Sequence, residues 1–464
     1  MQIRTISFIE AKSPGVHVFS KFPIPRIGSV LLSTMLRNKG YTVRTFVEDI
    51  AEIDWSVVER SDVVCLSTIT PTAPRAYEVA DRLKRLGIVV IMGGAHPSFM
   101  PEEALDHCDY VVRGEGDITL PELLRSLRKG TPFPAAVQGI SYRDKEGVIV
   151  HTPARPLLAD MDILPEPDFS LVHGWKPSHT YPVSTSRGCP HTCTFCSVIQ
   201  LFGRKYRFRS VEKTVREIAH AASRYDATIF FVDDNFAAHK ERTKAILKEV
   251  VAAGIAPRWS AQVRTDIAKD AELLRLMADS GCNTLYIGFE SINPRTLELY
   301  EKRQSLDDIL HCIRAVKDHG ISIHGMFVLG ADTDMLDTVK RTADFAVDLG
   351  IDTVQFMLLT PLPGTPVFAE MELAGRLLHK DWSTYDMHHV VFRPALMEPA
   401  TFQIETLKAM GKFYSWKYIL KHLLAFDFHY AALGYFGHRA VKQSLERAMT
   451  YLERLESSGS LLPA

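Results

Sequence analysis

The sequence predicts an α/β protein with two consecutive parallel-sheet domains followed by a helical C-terminal region. Three observations carry this prediction: a length of 464 residues, a repeated alternation of short apolar runs with amphipathic helical patterns, and the loss of that alternation near residue 376. Apolar strands between amphipathic helices indicate parallel sheets that helices cover on both faces. At about 150 residues per domain, a chain of this length is expected to hold roughly three domains.

The first domain is predicted over residues 1–135 as a doubly wound, Rossmann-like sheet. Its five strands are expected at residues 6–9, 42–46, 63–66, 88–92 and 110–112. In such sheets, ligands bind beyond the carboxyl ends of the strands. Small and polar residues occupy those ends, at 67–70, 93–96 and 113–116, so we expect a ligand site there.

A connector and a second alternation follow the first domain. Residues 136–180 are predicted to form a hairpin, at 137–150, and an extended linker, because five prolines between Pro153 and Pro177 disfavour a helix. Residues 181–375 are predicted as a partial (β/α)6 barrel with its chemistry at the carboxyl ends of the strands, and residues 376–464 as a helical cap. The barrel strands are expected at 182–185, 228–232, 258–263, 284–288, 321–329 and 353–359.

The charge balance excludes several classes of function. The chain has 54 Lys and Arg against 55 Asp and Glu, which gives a formal net charge of -1. A nucleic-acid coat or a polybasic membrane tether needs an excess of positive charge, so no nucleic-acid partner is expected. The N-terminus shows no cleavable targeting pattern and no segment predicts a membrane-spanning helix, so we expect a cytoplasmic protein.

Three of the seven cysteines crowd into one short segment, Cys189-Pro-His-Thr-Cys193-Thr-Phe-Cys196. The odd number disfavours a secreted disulfide scaffold, and clustered thiolates indicate a metal site. An iron–sulfur cubane usually takes four cysteines, so three would leave one iron open to a further ligand. The alternative is a structural zinc site that also uses His191, although the spacing differs from the usual paired C-x-x-C form.

This segment resembles the C-x-x-x-C-x-x-C loop of the radical S-adenosylmethionine (SAM) superfamily, in which the three cysteines bind a [4Fe–4S] cluster. The resemblance covers residues 182–368, and its other landmarks also follow predicted strands. It implies that Phe195 packs on the adenine of SAM and that Asp233 and Asp234 hold the methionyl ammonium, which needs a charged acceptor. The residues implied for the carboxylate, the ribose and the adenine of SAM are, in that order, Arg264, Glu290, and the pair Gly330 and Thr360.

Each of these landmarks also has a structural explanation when taken alone. Asp233 and Asp234 could cap a helix that begins near Ala237, and Glu290 could hold the turn before Pro294. Their joint occurrence, in the expected order and at strand ends, favours the functional interpretation.

The strand ends of the first domain resemble the cobalamin-binding domain that precedes the barrel in one large radical SAM subfamily. Glycines without a Cβ let the backbone approach a flat macrocycle, and hydroxyls can bond its nucleotide tail. The motif that supplies an axial histidine in methionine synthase-like domains is absent, so we expect no histidine on cobalt and expect His17 and His96 at the surface or as caps. The alternative is a domain of the same fold that binds nothing. The residues implied for cobalamin are Ser67, Thr68, Thr70, Gly93, Gly94, His96, Gly114 and Glu115.

The C-terminal region is rich in aromatic residues. Residues 402–441 contain ten aromatics in forty, against 9% in the whole chain, and lysines and arginines are interleaved with them. Such a segment can lie at a bilayer surface or line an apolar substrate tunnel. The structural alternative is a helical cap packed on the barrel mouth.

The resemblance implies an oxygen-sensitive enzyme that uses a [4Fe–4S] cluster, SAM and cobalamin to methylate an unactivated carbon of a hydrophobic or natural-product-like substrate. Similar enzymes are the hopanoid C-2 methylases and the anaerobic magnesium-protoporphyrin ester cyclases. Two alternatives stay open: a radical cyclase or carbon–carbon bond-forming enzyme acting on lipid or tetrapyrrole, and a non-catalytic cobalamin or redox sensor. The expected partners are a small, lipid-like substrate, an electron donor such as flavodoxin or ferredoxin, and the inner membrane face. The substrate itself and the oligomeric state stay open.

Overall fold

A computed structural model describes residues 2–13, 15, 24–225, 228–255 and 257–459. The chain divides into two compact units. The first unit contains Met1–Pro190, Ser197–Asp234 and Ala252–Pro257. The second unit contains His191–Cys196, Asn235–Val251 and Arg258–Ala464.

A seven-stranded sheet dominates the first unit. Its strands are β1 (Thr5–Glu10), β2 (Thr42–Val47), β3 (Val63–Ser67), β4 (Val89–Gly93), β5 (Tyr110–Val112), β6 (Ile140–Arg143) and β7 (Ile149–His151). They lie in the order β2-β1-β3-β4-β5-β6-β7. The first five pair in parallel, and β6 and β7 continue the sheet in antiparallel fashion. All five predicted parallel strands are therefore present, and the predicted hairpin extends the same sheet.

Helices pack on this sheet because their apolar stripes meet its buried strand residues. Leu36, Leu120 and Leu124 share one buried cluster with the strand residues Ile6 and Ile91. This is the covering expected for a parallel sheet with continuous apolar strands. The helices of the first unit are α1 (Ile27–Asn38), α2 (Trp55–Val58), α3 (Ala73–Arg85), α4 (Ala95–Phe99), α5 (Pro101–Ala104), α6 (Gly116–Arg128), α7 (Val198–Phe202) and α8 (Val211–Arg224).

The first unit also holds four short strands that surround the start of the cysteine loop. They are β8 (Tyr181–Val183), β9 (Ser186–Arg187), β10 (Arg207–Phe208) and β11 (Ile229–Phe231). β8 and β11 are the first two predicted barrel strands, and they pair in parallel. β9 pairs antiparallel with β10, a short ribbon that the sequence patterns did not predict.

The second unit contains the other four predicted barrel strands. They are β12 (Trp259–Val263), β13 (Cys282–Glu290), β14 (Ser322–Leu329) and β15 (Thr353–Leu358), which pair in parallel in the order β15-β14-β13-β12. The helices that follow β11 along the chain are α9 (Lys240–Ala252), α10 (Ala271–Asp279), α11 (Pro294–Leu299), α12 (Leu306–Asp318), α13 (Leu336–Asp348), α14 (Pro366–Leu373), α15 (Pro399–Phe413), α16 (Trp416–Leu424) and α17 (Phe428–Ser457). Among the described residues, none of the helices is both long and apolar enough to cross a bilayer.

The C-terminal helices are present as predicted, but they do not all lie at the mouth of the strands. α15 packs along β15. Near the start of α15, the Phe402 ring lies so close to Gly330, just after β14, that a Cβ on Gly330 would be 2.6 Å away. Just past its end, the Tyr414 hydroxyl bonds to both the N–H and the C=O of Val354, near the start of β15. α15 therefore carries the chain from the carboxyl end of the strands to their amino end, where α16 begins.

Candidate functional site

The cysteine loop begins at a glycine turn in the first unit. Gly188 has a φ of 89°, in the left-handed region, and a Cβ there would lie 2.3 Å from the carbonyl oxygen of Lys205. The N–H of Cys189 donates to the carbonyl of Gly203 at 3.1 Å. Because only glycine fits at position 188, this turn fixes the point at which the loop leaves β9.

Exposure separates the three motif cysteines from the other four. Burial raises the pKa of every one of the other four thiols, that of Cys312 to about 12, so they stay protonated at neutral pH and are poor ligands. The half-buried thiols are Cys189, Cys193 and Cys196, and the buried ones are Cys65, Cys108, Cys282 and Cys312. In the described part of the chain, no three His, Cys, Asp or Glu side chains converge on a single metal ion. A cubane binds each thiolate through a different iron, so three thiolates fit three irons of a [4Fe–4S] cluster.

A cavity of about 250 Å³ lies at the carboxyl ends of β3, β4 and β5 in the first unit. This is the strand-end position at which the sequence predicts a ligand site. Ser186, Arg187 and Asp234 also line the cavity, so it extends to the strand that leads to Cys189. The predicted cobalamin residues that line it are Ser67, Gly93, Gly94, Gly114 and Glu115.

Gly94 and Thr68 form a close backbone contact beside this cavity. Gly94 has a φ of 102°, and a Cβ there would lie 2.5 Å from the Thr68 carbonyl oxygen. Thr68 is completely buried, and its hydroxyl oxygen has no hydrogen-bond partner. A buried polar group without a partner costs about 1–3 kcal/mol unless a ligand or water satisfies it. Thr68 itself does not line the cavity, whereas the glycine cradle, Gly93 and Gly94, does, and its lack of side chains fits a bulky flat ligand such as cobalamin.

Glu115 is held by two arginines. Its carboxylate accepts from Arg187 at 3.1 Å and from Arg207 at 2.8 Å. Arg187 also donates to both carboxylate oxygens of Asp117, at 2.6 and 3.1 Å. The two arginines and the two acids thus form a nearly buried network whose charges cancel, and each acid stabilises the charged form of the arginines it contacts. Since Arg187 lies two residues before Cys189, this network ties the cavity turn to the strand that carries the cysteine loop.

His96 is completely buried, so the expectation of a surface or capping histidine is wrong for this residue. Its Nδ1 lies 3.3 Å from the Thr70 hydroxyl, and its Nε2 lies 3.1 Å from the Tyr77 hydroxyl and 3.3 Å from a Glu103 oxygen. Tyr77 on α3 and Glu103 on α5 supply two of these partners, and Thr70 lies just before α3; together they satisfy both nitrogens of the buried imidazole. His96 and Thr70 belong to this cluster and do not line the cavity. His17 lies outside the described residues.

The two predicted ammonium-binding aspartates have different surroundings. Asp233 is buried and accepts hydrogen bonds from the N–H of Thr185, at 3.0 Å, and from the hydroxyls of Thr185 and Ser186. Asp234 lines the cavity. Its carboxylate is open to the cavity while protein surrounds it, and this enclosure, with the nearby charge of Asp233, raises its pKa to about 7. Asp234 is thus the better placed of the two to meet a cationic group, while Asp233 joins the ends of β8 and β11.

Glu290, at the end of β13 in the second unit, pairs with Lys302 at 2.5 Å, and both side chains are buried. Glu290 has a φ of 63°, and the register of β13 against β14 shifts between Gly288 and Glu290. A Cβ on Gly288 would lie 2.5 Å from a carboxylate oxygen of Glu290, so a side chain there would displace the Glu290–Lys302 pair. A strained backbone that presents a buried carboxylate at a strand end is typical of a functional site.

A positive environment surrounds the second part of the cysteine loop. Burial, together with the charges of Arg264 and Lys302, lowers the pKa of His191 to about 4. The Arg264 guanidinium also donates to the backbone carbonyl of Lys302 at 2.5 Å. This environment suits an anionic ligand such as the carboxylate implied for Arg264, and it disfavours a zinc ion at His191.

Phe195 lies in an apolar cluster of the second unit. Its ring packs edge to face on Tyr300, with centroids 4.9 Å apart. The cluster includes Ala331 and Leu359, which adjoin Gly330 and Thr360 in sequence, so these predicted adenine residues lie around one apolar surface. The buried Tyr300 hydroxyl has no hydrogen-bond partner. An apolar surface with one unpaired hydroxyl fits a nucleobase.

Sequence reasoning missed Arg187, Arg207 and Lys302. A signal existed for Arg187. A buried cation just before the Gly188–Cys189 turn is expected to pair with acidic side chains, and Glu115 and Asp117 follow a predicted strand. No sequence pattern identifies Lys302, because the turn after α11 is what brings it to Glu290.

Two family patterns match the chain. Residues 16–124 match a family described as a B12 binding domain, and residues 183–346 match the Radical SAM superfamily. These ranges contain the glycine cradle and the cysteine loop, respectively.

Individual proteins are also similar to the chain. An uncharacterized methyltransferase of Pyrococcus horikoshii is 31% identical over 380 residues, which cover 78% of this chain and 81% of that protein. The bacteriochlorophyllide d C-12(1)-methyltransferase of Chlorobaculum tepidum is 30% identical, over 78% of this chain and 76% of its own length. Among solved structures, the cobalamin-dependent S-adenosylmethionine radical enzyme OxsB with aqua-cobalamin bound matches with a TM-score of 0.71 at 18% identity. That match covers 99% of this chain and 76% of the other, and it confirms the predicted fold class.

Proposed function

Because the chain belongs to the cobalamin-binding radical SAM superfamily, we propose that it methylates an unactivated carbon of a hydrophobic small molecule. The family, the enzyme class and the three cofactors predicted from the sequence are confirmed: a [4Fe–4S] cluster, SAM and cobalamin. The reaction outcome and the substrate are the new part of the proposal.

One observation in the first unit carries the proposal. The cavity at the strand ends is lined by Gly93 and Gly94, from the matched B12-binding region, and by Ser186 and Arg187, which shortly precede Cys189. A methyl carrier held at the glycines would lie beside the strand that leads to the cluster. Methylation of a carbon radical needs this proximity, because a short-lived radical reacts with the nearest suitable group.

When bound, the cluster supplies the electron for reductive cleavage of SAM, and cobalamin carries the methyl group. The chain's own residues orient these groups. Asp234 offers a carboxylate to the SAM ammonium, Arg264 offers a guanidinium to the SAM carboxylate, and Glu290 offers oxygens to the ribose hydroxyls. The apolar lining of the cavity, with residues such as Leu66 and Met92, excludes water from the reacting carbon.

A hydrophobic substrate is favoured by the similarity to an enzyme that acts on bacteriochlorophyllide d. The proposal also includes a one-electron donor such as flavodoxin or ferredoxin, because reductive cleavage of SAM consumes an electron.

The test is anaerobic incubation of the reconstituted enzyme with SAM labelled in its methyl group and a panel of tetrapyrrole, hopanoid and other lipid substrates. We expect label in one product and formation of 5′-deoxyadenosine. Cys196→Ala should abolish both, because it removes a cluster ligand. The matched control is Cys312→Ala, which removes a buried thiol of α12 and should keep both activities.

Two other outcomes would replace the proposal. Formation of 5′-deoxyadenosine without label in any product would contradict methylation and favour cyclisation or carbon–carbon coupling. A reconstituted protein that binds all three cofactors but forms neither product, with Cys196→Ala leaving its biological output intact, would favour a sensor.

A further inference from the structure

The helices α16 and α17 expose large apolar side chains that the proposed function does not use. On α16 these side chains recur every four residues, at Trp416, Leu420 and Leu424, and on α17 Phe428 and Phe436 lie two turns apart. Leu424 and Phe426 are each 80% exposed, and Phe428 is 65% exposed. The hairpin patch consists of Trp416, Leu420, Leu424, Phe426, Phe428 and Phe436. Single exposed apolar residues are common, but a group of this size at one place marks an interaction site.

The patch faces outward because the inner side of the two helices is already closely packed. A Cβ on Gly434 would lie 2.6 Å from the Tyr418 ring, and one on Gly437 would lie 2.7 Å from the Tyr414 ring. These glycines let α17 approach two aromatic rings closely: Tyr418, which lies on α16, and Tyr414, which precedes it. Ile419 is buried on this inner side. No room remains inside for the apolar side chains of the patch.

Phe426, between the two helices, has a φ of 58°. Left-handed backbone is unfavourable for a residue with a side chain, and glycine or asparagine usually occupies such a turn. An exposed phenylalanine there stabilises neither the backbone nor the core. The fold itself therefore gives no reason for a phenylalanine at this turn.

The charge around the patch is positive. Residues 415–445 contain Lys417, Lys421, Arg439 and Lys442 but only one acid, Asp427, in a chain whose overall net charge is -1. Asp427 caps α17 by accepting from the N–H of Tyr430. A second copy of this surface would bring like charges together, whereas anionic lipid headgroups complement the lysines and the acyl region accepts the apolar rings.

The patch also lies away from the residues implied for SAM in the second unit. The Tyr418 hydroxyl of α16 donates to the carbonyl of Asp352, just before β15, at 2.5 Å. Gly330 and Thr360 follow the opposite, carboxyl ends of β14 and β15. Contact at the patch would leave those strand ends uncovered, so α16 and the start of α17 are placed for attachment and not as the wall of a substrate tunnel.

We propose that the hairpin patch docks the enzyme on the surface of a membrane that contains anionic lipids. The rings of Phe426 and Phe428 enter the headgroup and acyl boundary, and Lys417 and Lys421 contact the headgroups. This inference does not depend on whether the reaction is a methylation.

Vesicle flotation of the full-length reconstituted protein tests the proposal. The wild-type chain should float with vesicles of phosphatidylethanolamine and phosphatidylglycerol, and binding should weaken with added salt and on pure phosphatidylcholine. The double variant Phe426→Ser/Phe428→Ser should bind at least about tenfold more weakly, because two rings no longer leave water. The double variant Lys417→Gln/Lys421→Gln should lose about fivefold per charge.

The matched control is Leu373→Ser on α14, which removes a leucine that is 91% exposed and outside the patch. It should leave vesicle binding unchanged. All variants should keep the circular dichroism of the wild type and its 5′-deoxyadenosine formation in the absence of vesicles. The proposal is overturned if the wild type does not float with anionic vesicles, if Leu373→Ser weakens binding as much as the phenylalanine variant, or if binding ignores lipid charge and salt. Sedimentation analysis that shows a dimer lost on Phe426→Ser/Phe428→Ser would assign the patch to a second copy instead.

Discussion

Glu115 in the first unit and Glu290 in the second are both predicted cofactor acids at strand ends, and the two are held in different ways. Glu115 in the first unit pairs with two arginines, whereas Glu290 in the second pairs with one lysine. The backbone differs too. In the first unit Gly114, with a φ of 71°, makes the left-handed turn before the acid, whereas Glu290 itself has a φ of 63°.

This contrast extends to the described residues as a whole. The non-glycine residues with positive φ all lie in the second unit: Glu290, Glu301, Arg303, Met387 and Phe426. Each such residue costs about 1–2 kcal/mol relative to ordinary backbone. The first unit thus builds its site from glycines and redundant ion pairs, and the second from strained residues and a single pair. Such strain persists only where the surrounding structure compensates it, so the second unit should be the more sensitive to substitution.

The largest expected effect comes from Lys302→Met. It leaves the Glu290 carboxylate buried without its partner, which should lower the free energy of unfolding by about 3–5 kcal/mol. Arg207→Met in the first unit should cost less, about 1–3 kcal/mol, because Glu115 keeps Arg187. Urea unfolding followed by circular dichroism measures both losses.

The double variant Lys302→Met/Glu290→Gln controls for the packing of the lysine chain. With both charges removed, it should recover most of the stability lost in Lys302→Met. SAM binding should stay weak in this variant, because the ribose acid is absent. Equal losses for Lys302→Met and Arg207→Met would contradict the contrast between a single pair and a redundant network.

The features that the sequence predicted are local ones. The cysteine loop is read directly from its spacing, and the strands follow from apolar runs of a few residues. Burial of His96, the pairing of Lys302 with Glu290 and the contact of Arg207 with Glu115 all join residues that are distant in sequence. Periodicity carries no information about such contacts, so only the folded chain reveals them. The path of α15, from one end of the strands to the other, escapes the sequence for the same reason.

A pair of glycine variants tests how far glycine is required in the first unit. Gly94→Ala places a Cβ against the backbone of Thr68 in addition to the strain of a positive φ, and it should cost about 1–3 kcal/mol. Gly114→Ala has open space around its Cβ and should cost about 1 kcal/mol, from the backbone conformation alone. Thermal unfolding measures both costs, and absorbance titration with hydroxocobalamin should show a greater loss of affinity in Gly94→Ala. Similar affinities in the two variants would remove Gly94 from the proposed cobalamin cradle.

The smallest expected effect concerns Phe426, a residue with strained backbone that lies in the hairpin patch and not at the cofactor site. Phe426→Gly should raise the free energy of unfolding by up to about 1 kcal/mol, because glycine adopts a φ of 58° without strain and little burial is lost with an exposed ring. Phe426→Ala removes the same ring but keeps a Cβ in the left-handed conformation, so it should not stabilise the protein. Both variants should lose vesicle binding to the same extent. Differential thermal unfolding of the two variants therefore separates the backbone strain from the lipid contact. A Phe426→Gly variant that is less stable than wild type would mean that the ring supports the fold, and the strained residue would no longer point to a partner outside it.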